Sequence, residues 1–410
     1  MKTAEIGPFK GENNRLPDYA LSGKEGAFVR SAVNVDLSGA GTFKRRPGSE
    51  RIVSGTDCHS IWAIDDHAYY VDHRTLYHLR ADYTATAVLT GLTTFRTMTY
   101  ADAGASRVFC TNKDGLWRLS GESATPAGVA PPQSAPIATV TQDGSLAAGV
   151  YQFVVTLLSA DGEESAAARP EQVGVPENGR IAFSGIPQVA GHSTALYLSP
   201  ANGEDLYRIS ASAPATVVVA VNPRTDRARC KTILLATLPP GEIVRYSGGR
   251  LLVANGDMLY YSEPFALALH NPRKNYVRFE APIDLLEPVE GGAYVAAGDQ
   301  TYWIGGDISA ASLAVVLPYG AVRYSASRAP NSNAVWWMSK RGAVIAGPGG
   351  EVKNVQEQNV AVSPAEVGAS IVRETDGMRR IVAALFNQTD SRMAAQSWMD
   401  AEIVRTEEAA

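Results

Sequence analysis

Cysteine is scarce in this chain of 410 residues. The three cysteines, Cys58, Cys110 and Cys230, are odd in number and far apart. Disulfide scaffolds and zinc ribbons need closely spaced or paired cysteines, so the sequence favours neither class. This cysteine usage predicts folding in a reducing cytoplasm.

Charge is also sparse, because charged residues make up only 19% of the chain. Lysine and arginine together number 37 against 42 aspartates and glutamates, which gives a formal net charge of -5. Binding to duplex DNA over a broad surface requires an excess of basic residues on one face. The composition therefore argues against such a surface and leaves only local basic patches.

Long apolar runs are missing as well. The segment TVVVAV at 216–221 is typical of the longest runs, whereas a membrane-spanning helix needs about 18 apolar residues. The first 19 residues, MKTAEIGPFKGENNRLPDY, contain no apolar core of a secretory signal. We expect no membrane span and no secretory signal peptide.

Turn-forming residues and short apolar runs are what the chain has in quantity. Its 37 glycines and 23 prolines separate runs of three to six residues rich in Val, Ile, Tyr and Trp, a pattern that predicts β-strands. Polar turns pair these runs into hairpins. We predict hairpins within Ser60–Leu79 (turns at Asp65-Asp66 and Asp72-His73-Arg74), Arg107–Leu119 (Lys113-Asp114-Gly115), Arg250–Ser262 (Asn255-Gly256-Asp257), Ala293–Gly305 (Gly298-Asp299) and Ala334–Ala346 (Lys340-Arg341-Gly342), and a last one joining Arg379–Asn387 to Met393–Arg405.

The hairpins recur at a regular interval. Tyr70 and Phe109 are separated by about 40 positions, and so are Leu252, Val295 and Trp336. A repeat of about 40 residues built from short antiparallel strands is typical of β-propeller blades. The fold class we predict is all-β, a β-propeller of about six blades.

One segment interrupts this repeat between Phe109 and Leu252. From Ala135 to Val221 the sequence contains about seven short strands with turn signals every 8–12 residues, which is typical of a fibronectin-III-like or immunoglobulin-like sandwich. We therefore predict three parts: residues 1–132 with an N-terminal arm and the first blades, an inserted β-sandwich at 133–222, and the remaining blades with a closing strand at 223–410.

No catalytic or metal-binding pattern stands out. Four histidines, His59, His67, His73 and His78, lie close in sequence, but without the spacing of a metal site. Acidic residues mostly occupy apparent turns, where their side chains bond to their own backbone. The sequence also lacks G-x-S-x-G and P-loop motifs. We predict no enzyme activity, no cofactor and no metal.

Two basic clusters are the candidate interface or channel residues. Either could contact DNA phosphates or an acidic partner subunit, or form an ordinary solvated surface. Neither contains the interleaved aromatic residues of a single-strand binder. The first cluster comprises Lys44, Arg45 and Arg46, with Arg51 nearby, and the second comprises Arg224, Arg227, Arg229 and Lys231.

The segment Ala32–Ile52, AVNVDLSGAGTFKRRPGSERI, resembles the opening of tail-nozzle proteins of tailed phages, also called packaged-DNA stabilisation proteins. The sandwich opening GSLAAGVYQF with its later GEES, and the closing stretch GASIVRETDGMRRIVAAL at 368–385, are also similar to this group. The matching residues of the first stretch are Asn34, Val35, Asp36, Gly41, Arg45, Arg46, Pro47 and Gly48.

The resemblance implies a structural virion protein of a short-tailed phage. Such a protein would assemble in the host cytoplasm into a ring, commonly of six copies, on a tail adaptor or portal ring. The ring would extend the DNA channel, retain the packaged genome and allow its ejection, with transient non-specific DNA contact. Tail fibre or spike proteins are further possible partners.

Two alternatives stay open. A receptor- or glycan-binding propeller module at the tail periphery would use exposed aromatic residues. Adjacent aromatic residues in a strand point to opposite faces, so we expect at least one of each pair to be in the core. The other alternative is a propeller glycosidase. The aromatic candidates are Trp62, Tyr69, Tyr70, Trp336 and Trp337.

Overall fold

The computed structural model describes residues 8–24, 26–33, 35–46, 49–64, 67–94, 96–104, 107–310, 312–329, 332–362, 365–375, 378–386 and 403–406. These residues form an all-β structure. Its only helical segments within the described ranges are three short 3₁₀ turns at Asp18–Ala20, Ile308–Ala310 and Pro348–Gly350. No helix in this part of the chain is long and apolar enough to cross a membrane.

Six short strands precede the repeating sheets. β3 lies between β1, to which it is parallel, and β2, to which it is antiparallel, while β4 pairs with β5. They are β1 (Phe9–Glu12), β2 (Ser22–Gly23), β3 (Gly26–Val29), β4 (Val35–Leu37), β5 (Phe43–Arg45) and β6 (Ser49–Val53).

Five four-stranded antiparallel sheets follow outside residues 133–222, the stretch for which a sandwich was predicted and which we call the sandwich region. In each sheet the strands are hydrogen-bonded in chain order, which is the arrangement of a propeller blade. The strands of the first two sheets are β7 (Cys58–Ile64), β8 (His67–Asp72), β9 (Thr75–Leu79), β10 (Ala85–Thr90), and β11 (Thr99–Asp102), β12 (Val108–Thr111), β13 (Leu116–Ser120), β14 (Ser123–Pro126).

The sandwich region supplies seven strands to two separate sheets, with orders β15-β18-β21 and β17-β16-β19-β20. Both sheets contribute to one apolar cluster that contains Phe153, Ile181, Phe183 and Leu196. The strands are β15 (Ile137–Leu146), β16 (Gly149–Ser159), β17 (Glu171–Val175), β18 (Gly179–Ser184), β19 (His192–Leu198), β20 (Tyr207–Ser210) and β21 (Val217–Val219).

Three further four-stranded sheets follow the sandwich region. The extra strands β22 (Ala236–Thr237) and β26 (Leu269–His270) pair with each other. The sheets consist of β23 (Ile243–Ser247), β24 (Arg250–Asn255), β25 (Met258–Tyr261), β27 (Tyr276–Arg278); β28 (Ile283–Val289), β29 (Gly292–Ala297), β30 (Gln300–Gly305), β31 (Ser312–Leu317); and β32 (Ser327–Arg328), β33 (Val335–Ser339), β34 (Gly342–Ala346), β35 (Val352–Asn354).

Apolar clusters join each sheet to the next. Tyr100 of β11 lies in the same cluster as residues of β8 and β9, and Phe109 of β12 in the same cluster as residues of β24. Residues of β24 and β29 share a third cluster, and Tyr294 and Trp337 share a fourth, with ring centroids 5.7 Å apart. Because one small sheet cannot bury both of its faces alone, this serial packing holds the sheets together. The sheet order and serial packing are those of a β-propeller, as the sequence predicted.

Five of the six predicted hairpins are present. Strands pair across the predicted turns, as at Asp72↔Thr75 and Asn255↔Met258; the Asp65-Asp66 turn lies outside the described residues. The predicted last hairpin is not found among the described residues, and positions 393–402 of its second strand lie outside them. β37 (Met378–Phe386) pairs with β36 (Val367–Thr375), while β38 (Ile403–Thr406) pairs with β6. The sequence Asp376-Gly377 between β36 and β37 is a strong hairpin signal, and it favours the observed pairing of these two strands.

Candidate functional site

The first basic cluster lies on the β4–β5 hairpin. Lys44 of β5 is directly opposite Asp36 of β4, and Nε of Arg46 lies 3.1 Å from Oδ1 of Asp36. The side chains of Lys44, Arg45 and Arg46 are exposed, so the hairpin presents them to solvent. Three other residues of the phage-like motif, Asn34, Pro47 and Gly48, lie outside the described residues.

The second basic cluster follows β21 and packs beside the sandwich region. Arg224 binds Asp226 through two hydrogen bonds, of 3.1 Å from Nε and 2.6 Å from Nη2. Arg229 lies 3.0 Å from Asp205, and its guanidinium is 5.5 Å from the Tyr207 ring centroid. Local carboxylates thus neutralise part of the positive charge that the sequence placed here. Arg227 and Lys231 are exposed members of the same cluster.

The structure also brings together charged residues that were not among the predicted site residues. β11, β23 and β28, the first strands of three consecutive sheets, lie side by side. Glu287 on β28 accepts hydrogen bonds from Arg245 on β23, of 3.0 Å from Nε and 2.6 Å from Nη2. The Glu287 side chain is only 8% exposed. This ion pair therefore joins two neighbouring sheets at a largely buried position.

A second ion pair joins β28 to the sheet on its other side. Nε of Arg323 donates a 2.8 Å hydrogen bond to Oδ1 of Asp284. Burial alone would lower the pKa of Arg323, but the Asp284 carboxylate raises it above its ordinary value. Asp284 and Glu287 thus connect one strand to the sheets before and after it. We call Arg245–Glu287 and Arg323–Asp284 the inter-sheet ion pairs.

A third connection joins the second and third of the five sheets. The Nζ atom of Lys113 lies 2.5 Å from Oε1 of Glu242. The buried hydroxyl of Thr111 accepts a 3.1 Å hydrogen bond from the Gly241 amide and donates a 2.7 Å bond to the Gly115 carbonyl. Such contacts fix the relative position of the two sheets.

A repeated sequence could have indicated the inter-sheet ion pairs. Val-Arg-Tyr-Ser occurs at 244–247 and again at 322–325, about two propeller repeats apart. Each copy supplies one of the arginines. A charged residue in an otherwise apolar strand is unusual unless it is paired, but the sequence does not identify the partner.

The clustered histidines form contacts of a different kind. Nδ1 of His67 lies 2.9 Å from Nε2 of His78, and Nδ1 of His59 lies 2.7 Å from the Ser60 hydroxyl. Burial lowers the pKa of His59 to about 4, although Asp72 acts in the opposite direction. No group of three or more metal-ligating side chains is assembled among the residues that the structure describes.

The aromatic residues considered for ligand binding are mostly in the core. Tyr69, Tyr70 and Trp337 are buried, so the prediction that at least one of each adjacent pair packs inside is confirmed. Trp62 stacks on Tyr100 with ring centroids 5.4 Å apart, and Trp336 is half-buried. These side chains do not form an exposed aromatic surface.

Comparison with known proteins gives similarity only at the level of solved structures. No protein-family model matches the sequence, and no curated protein matches it. The chain is similar to virginiamycin B lyase from Staphylococcus aureus, with 11% identity, coverage of 82% of this chain and 95% of that one, and a TM-score of 0.35. It is also similar to the Neurospora crassa Pan2 WD40 domain, with 10% identity, coverage of 78% of this chain and 84% of that one, and a TM-score of 0.33. Similarity to the WD40 β-propeller domain of Doa1 has 11% identity, coverage of 83% of this chain and 93% of that one, and a TM-score of 0.32.

Proposed function

We propose that this protein is a structural subunit of a short-tailed phage virion, forming a tail-nozzle or hub ring, with six copies as the expected number. The ring would extend the DNA channel, retain the packaged genome and allow its ejection. The observation that carries the proposal is the fastening of consecutive sheets by shared apolar clusters and by the inter-sheet ion pairs. A conduit under internal pressure needs such a rigid wall.

The proposal includes a finer description of the architecture. We expect about six blades, of which the sixth would be assembled from strands near the two ends of the sequence, such as the paired β6 and β38. The two sheets at 137–219 would form the inserted fibronectin-III-like or immunoglobulin-like domain, within the boundaries 133–222. Their common apolar cluster supports this expectation.

The electrostatics are compatible with a DNA conduit. A basic wall would hold the phosphates and retard the genome, whereas this chain has a net charge of -5. Much of the positive charge in the second basic cluster is also neutralised locally. We expect only transient, non-specific contact with DNA, and assembly in the host cytoplasm on a tail adaptor or portal ring.

Replacing Arg45 and Arg46 with alanine tests the role of the first basic cluster. We expect weaker ring assembly or docking on the adaptor, because the variant lacks the two exposed positive side chains that would contact an acidic surface of a neighbouring subunit. The folded subunit should be almost unaffected, since exposed ion pairs such as Arg46–Asp36 contribute at most about 1 kcal/mol.

The measurement is the yield of assembled tails in a complementation assay, with the melting temperature of the purified subunit as a check on folding. Lys340→Ala is the matched control, because it also removes one exposed ion pair, to Asp299, from a different sheet. Normal assembly of the Arg45→Ala/Arg46→Ala variant would show that the cluster is a local turn motif.

A further inference from the structure

A cavity of about 50 Å³ lies between the third and fourth of the five sheets, apart from the basic clusters and the inter-sheet ion pairs. Residues from the end of β23 to β24 line it from one sheet, and residues of β29, β30 and the loop after β30 line it from the other. Gly248, Gly306 and Asp307 of this lining are exposed, so solvent reaches the cavity. A space of this size holds a few water molecules or one small molecule.

The lining includes a buried arginine, Arg250 of β24, whose side chain is only 10% exposed. Its Nη1 atom donates a 2.7 Å hydrogen bond to the Ser262 carbonyl, and its guanidinium lies 5.6 Å from the centroid of the Tyr261 ring. The Nε atom is buried without a hydrogen-bond partner, and Nη2 lies 3.7 Å from Oδ1 of Asp307, beyond hydrogen-bond distance. Among the described residues, one edge of this guanidinium therefore lacks an acceptor.

Arg245, in the same sheet, shows how such an edge is satisfied elsewhere in the protein. Its Nε and Nη2 atoms donate hydrogen bonds of 3.0 Å and 2.6 Å to the Glu287 carboxylate. These two N–H groups of an arginine form a fork that matches the geometry of a carboxylate. Because a buried donor without an acceptor is unfavourable, the free edge of Arg250 indicates a bound acceptor that the described part of the chain does not supply.

Asp307 forms an ion pair with Arg250 but does not supply this acceptor. Its Oδ1 atom accepts hydrogen bonds from the amide and the hydroxyl of Ser309, and these bonds lower the pKa of its carboxyl. Asp307 is therefore ionised at neutral pH and balances part of the charge of Arg250. A doubly charged anion such as hydrogen phosphate would be repelled by this carboxylate. The site thus suits a ligand with a single negative charge.

Much of the remaining lining is apolar. Leu252, Ala293 and Ile304 are buried, and Ile308 is half-buried. Ligand sites in proteins are typically apolar cavities with a few placed polar groups that fix the orientation of the ligand. A carboxylate with a short alkyl chain has both parts that this lining requires.

We propose that the cavity binds a small monocarboxylate, whose carboxylate accepts hydrogen bonds from the free edge of Arg250 and whose alkyl chain contacts the apolar lining. Propionate, with three carbons, represents this class. The inference is independent of the proposed ring, because the cavity lies within one subunit.

Saturation-transfer difference NMR on the full chain tests the site with propionate as the probe. The propionate methyl signal should show saturation transfer and should titrate to a dissociation constant. Propionamide, which has the same shape without the charge, should give a much weaker signal. Phosphate at the same concentration as propionate should not displace it.

Three variants separate the roles of the two charged groups. Arg250→Gln should weaken propionate binding by about tenfold or more, because the charge-assisted hydrogen bonds are lost. Asp307→Asn should tighten it by about two- to fivefold, because a competing carboxylate is removed from an exposed position. Arg278→Gln is the matched control, since it removes an arginine of the same sheet that is 74% exposed and pairs with Asp257, and it should leave binding unchanged. Circular dichroism checks that each variant is folded.

Several results would overturn the site. No saturation transfer to propionate in the folded wild type would mean that only water fills the cavity. Equal affinity of the wild type and the folded Arg250→Gln variant would show that propionate binds elsewhere. If Arg250→Gln does not fold, Asp307→Asn decides, because unchanged or weaker binding in that variant would contradict the predicted competition. Displacement of propionate by phosphate, or an equal signal from propionamide, would contradict the monocarboxylate class.

Discussion

Replacing Glu287 with alanine is expected to lower the free energy of unfolding by about 3 kcal/mol. Its side chain is 8% exposed and pairs with Arg245, which is 25% exposed. A second arginine, Arg328, lies 3.9 Å from the other carboxylate oxygen. Removing one partner of a buried ion pair leaves the other charge desolvated and unpaired, which typically costs about 3–5 kcal/mol. Partial exposure of Arg245 places the expected loss at the lower end.

Equilibrium denaturation in urea measures this loss, and Asp299→Asn provides the matched control. Asp299 forms an ion pair with Lys340 in which both side chains are well exposed, so breaking it should change stability by less than about 1 kcal/mol. If Glu287→Ala were no more destabilising than Asp299→Asn, the inter-sheet ion pairs would not hold the sheets together.

Acidification is expected to destabilise the protein through His59. Burial lowers the pKa of His59 from 6.5 to about 4, so the folded state keeps this side chain neutral while the unfolded state takes up a proton. Stability is then lost as the pH falls from about 6.5 to about 4. At 1.36 kcal/mol per pKa unit, the loss approaches about 3 kcal/mol. Asp57 acts in the opposite direction, because burial raises the pKa of its carboxyl.

The effect of His59 is isolated by comparing the wild type with His59→Gln. As the pH falls from 7 to 4, the unfolding free energy of the wild type should decrease relative to that of His59→Gln. Only the wild type carries the histidine that takes up a proton on unfolding. His192→Gln, at an exposed position, should leave the pH profile unchanged. A wild-type profile parallel to that of His59→Gln would show that His59 is accessible to protons in the folded state.

The hairpins could be predicted because their signals are local. Strand, turn and strand lie within about 15 residues, and the turn at Asn255-Gly256-Asp257 joins β24 to β25 as expected. The repeat of about 40 residues then indicated a propeller. The last hairpin was placed one strand too late, because the local Asp376-Gly377 signal belongs to the β36–β37 pairing. The β38 pairing with β6 joins residues more than 300 positions apart in the sequence, and no local pattern records such a distance.

The inter-sheet ion pairs could not be predicted for a related reason. Arg245 and Glu287 come from different sheets, so their contact depends on how the two sheets pack. The basic clusters show the converse. Arg224 and Arg229 were chosen for their charge, but Asp226 and Asp205 pair with them in the folded chain. Composition predicts which charges exist, whereas packing decides which of them remain available.

The central claim, that this protein forms part of a phage tail conduit, is tested most directly by locating the chain in the particle. Electron cryo-microscopy of the purified particle that carries the gene should show this chain as a symmetric ring of propellers on the tail axis, with residues of each subunit facing the DNA channel. Density for the chain only at the tail periphery, or no density for it in the particle, would contradict the role in the conduit.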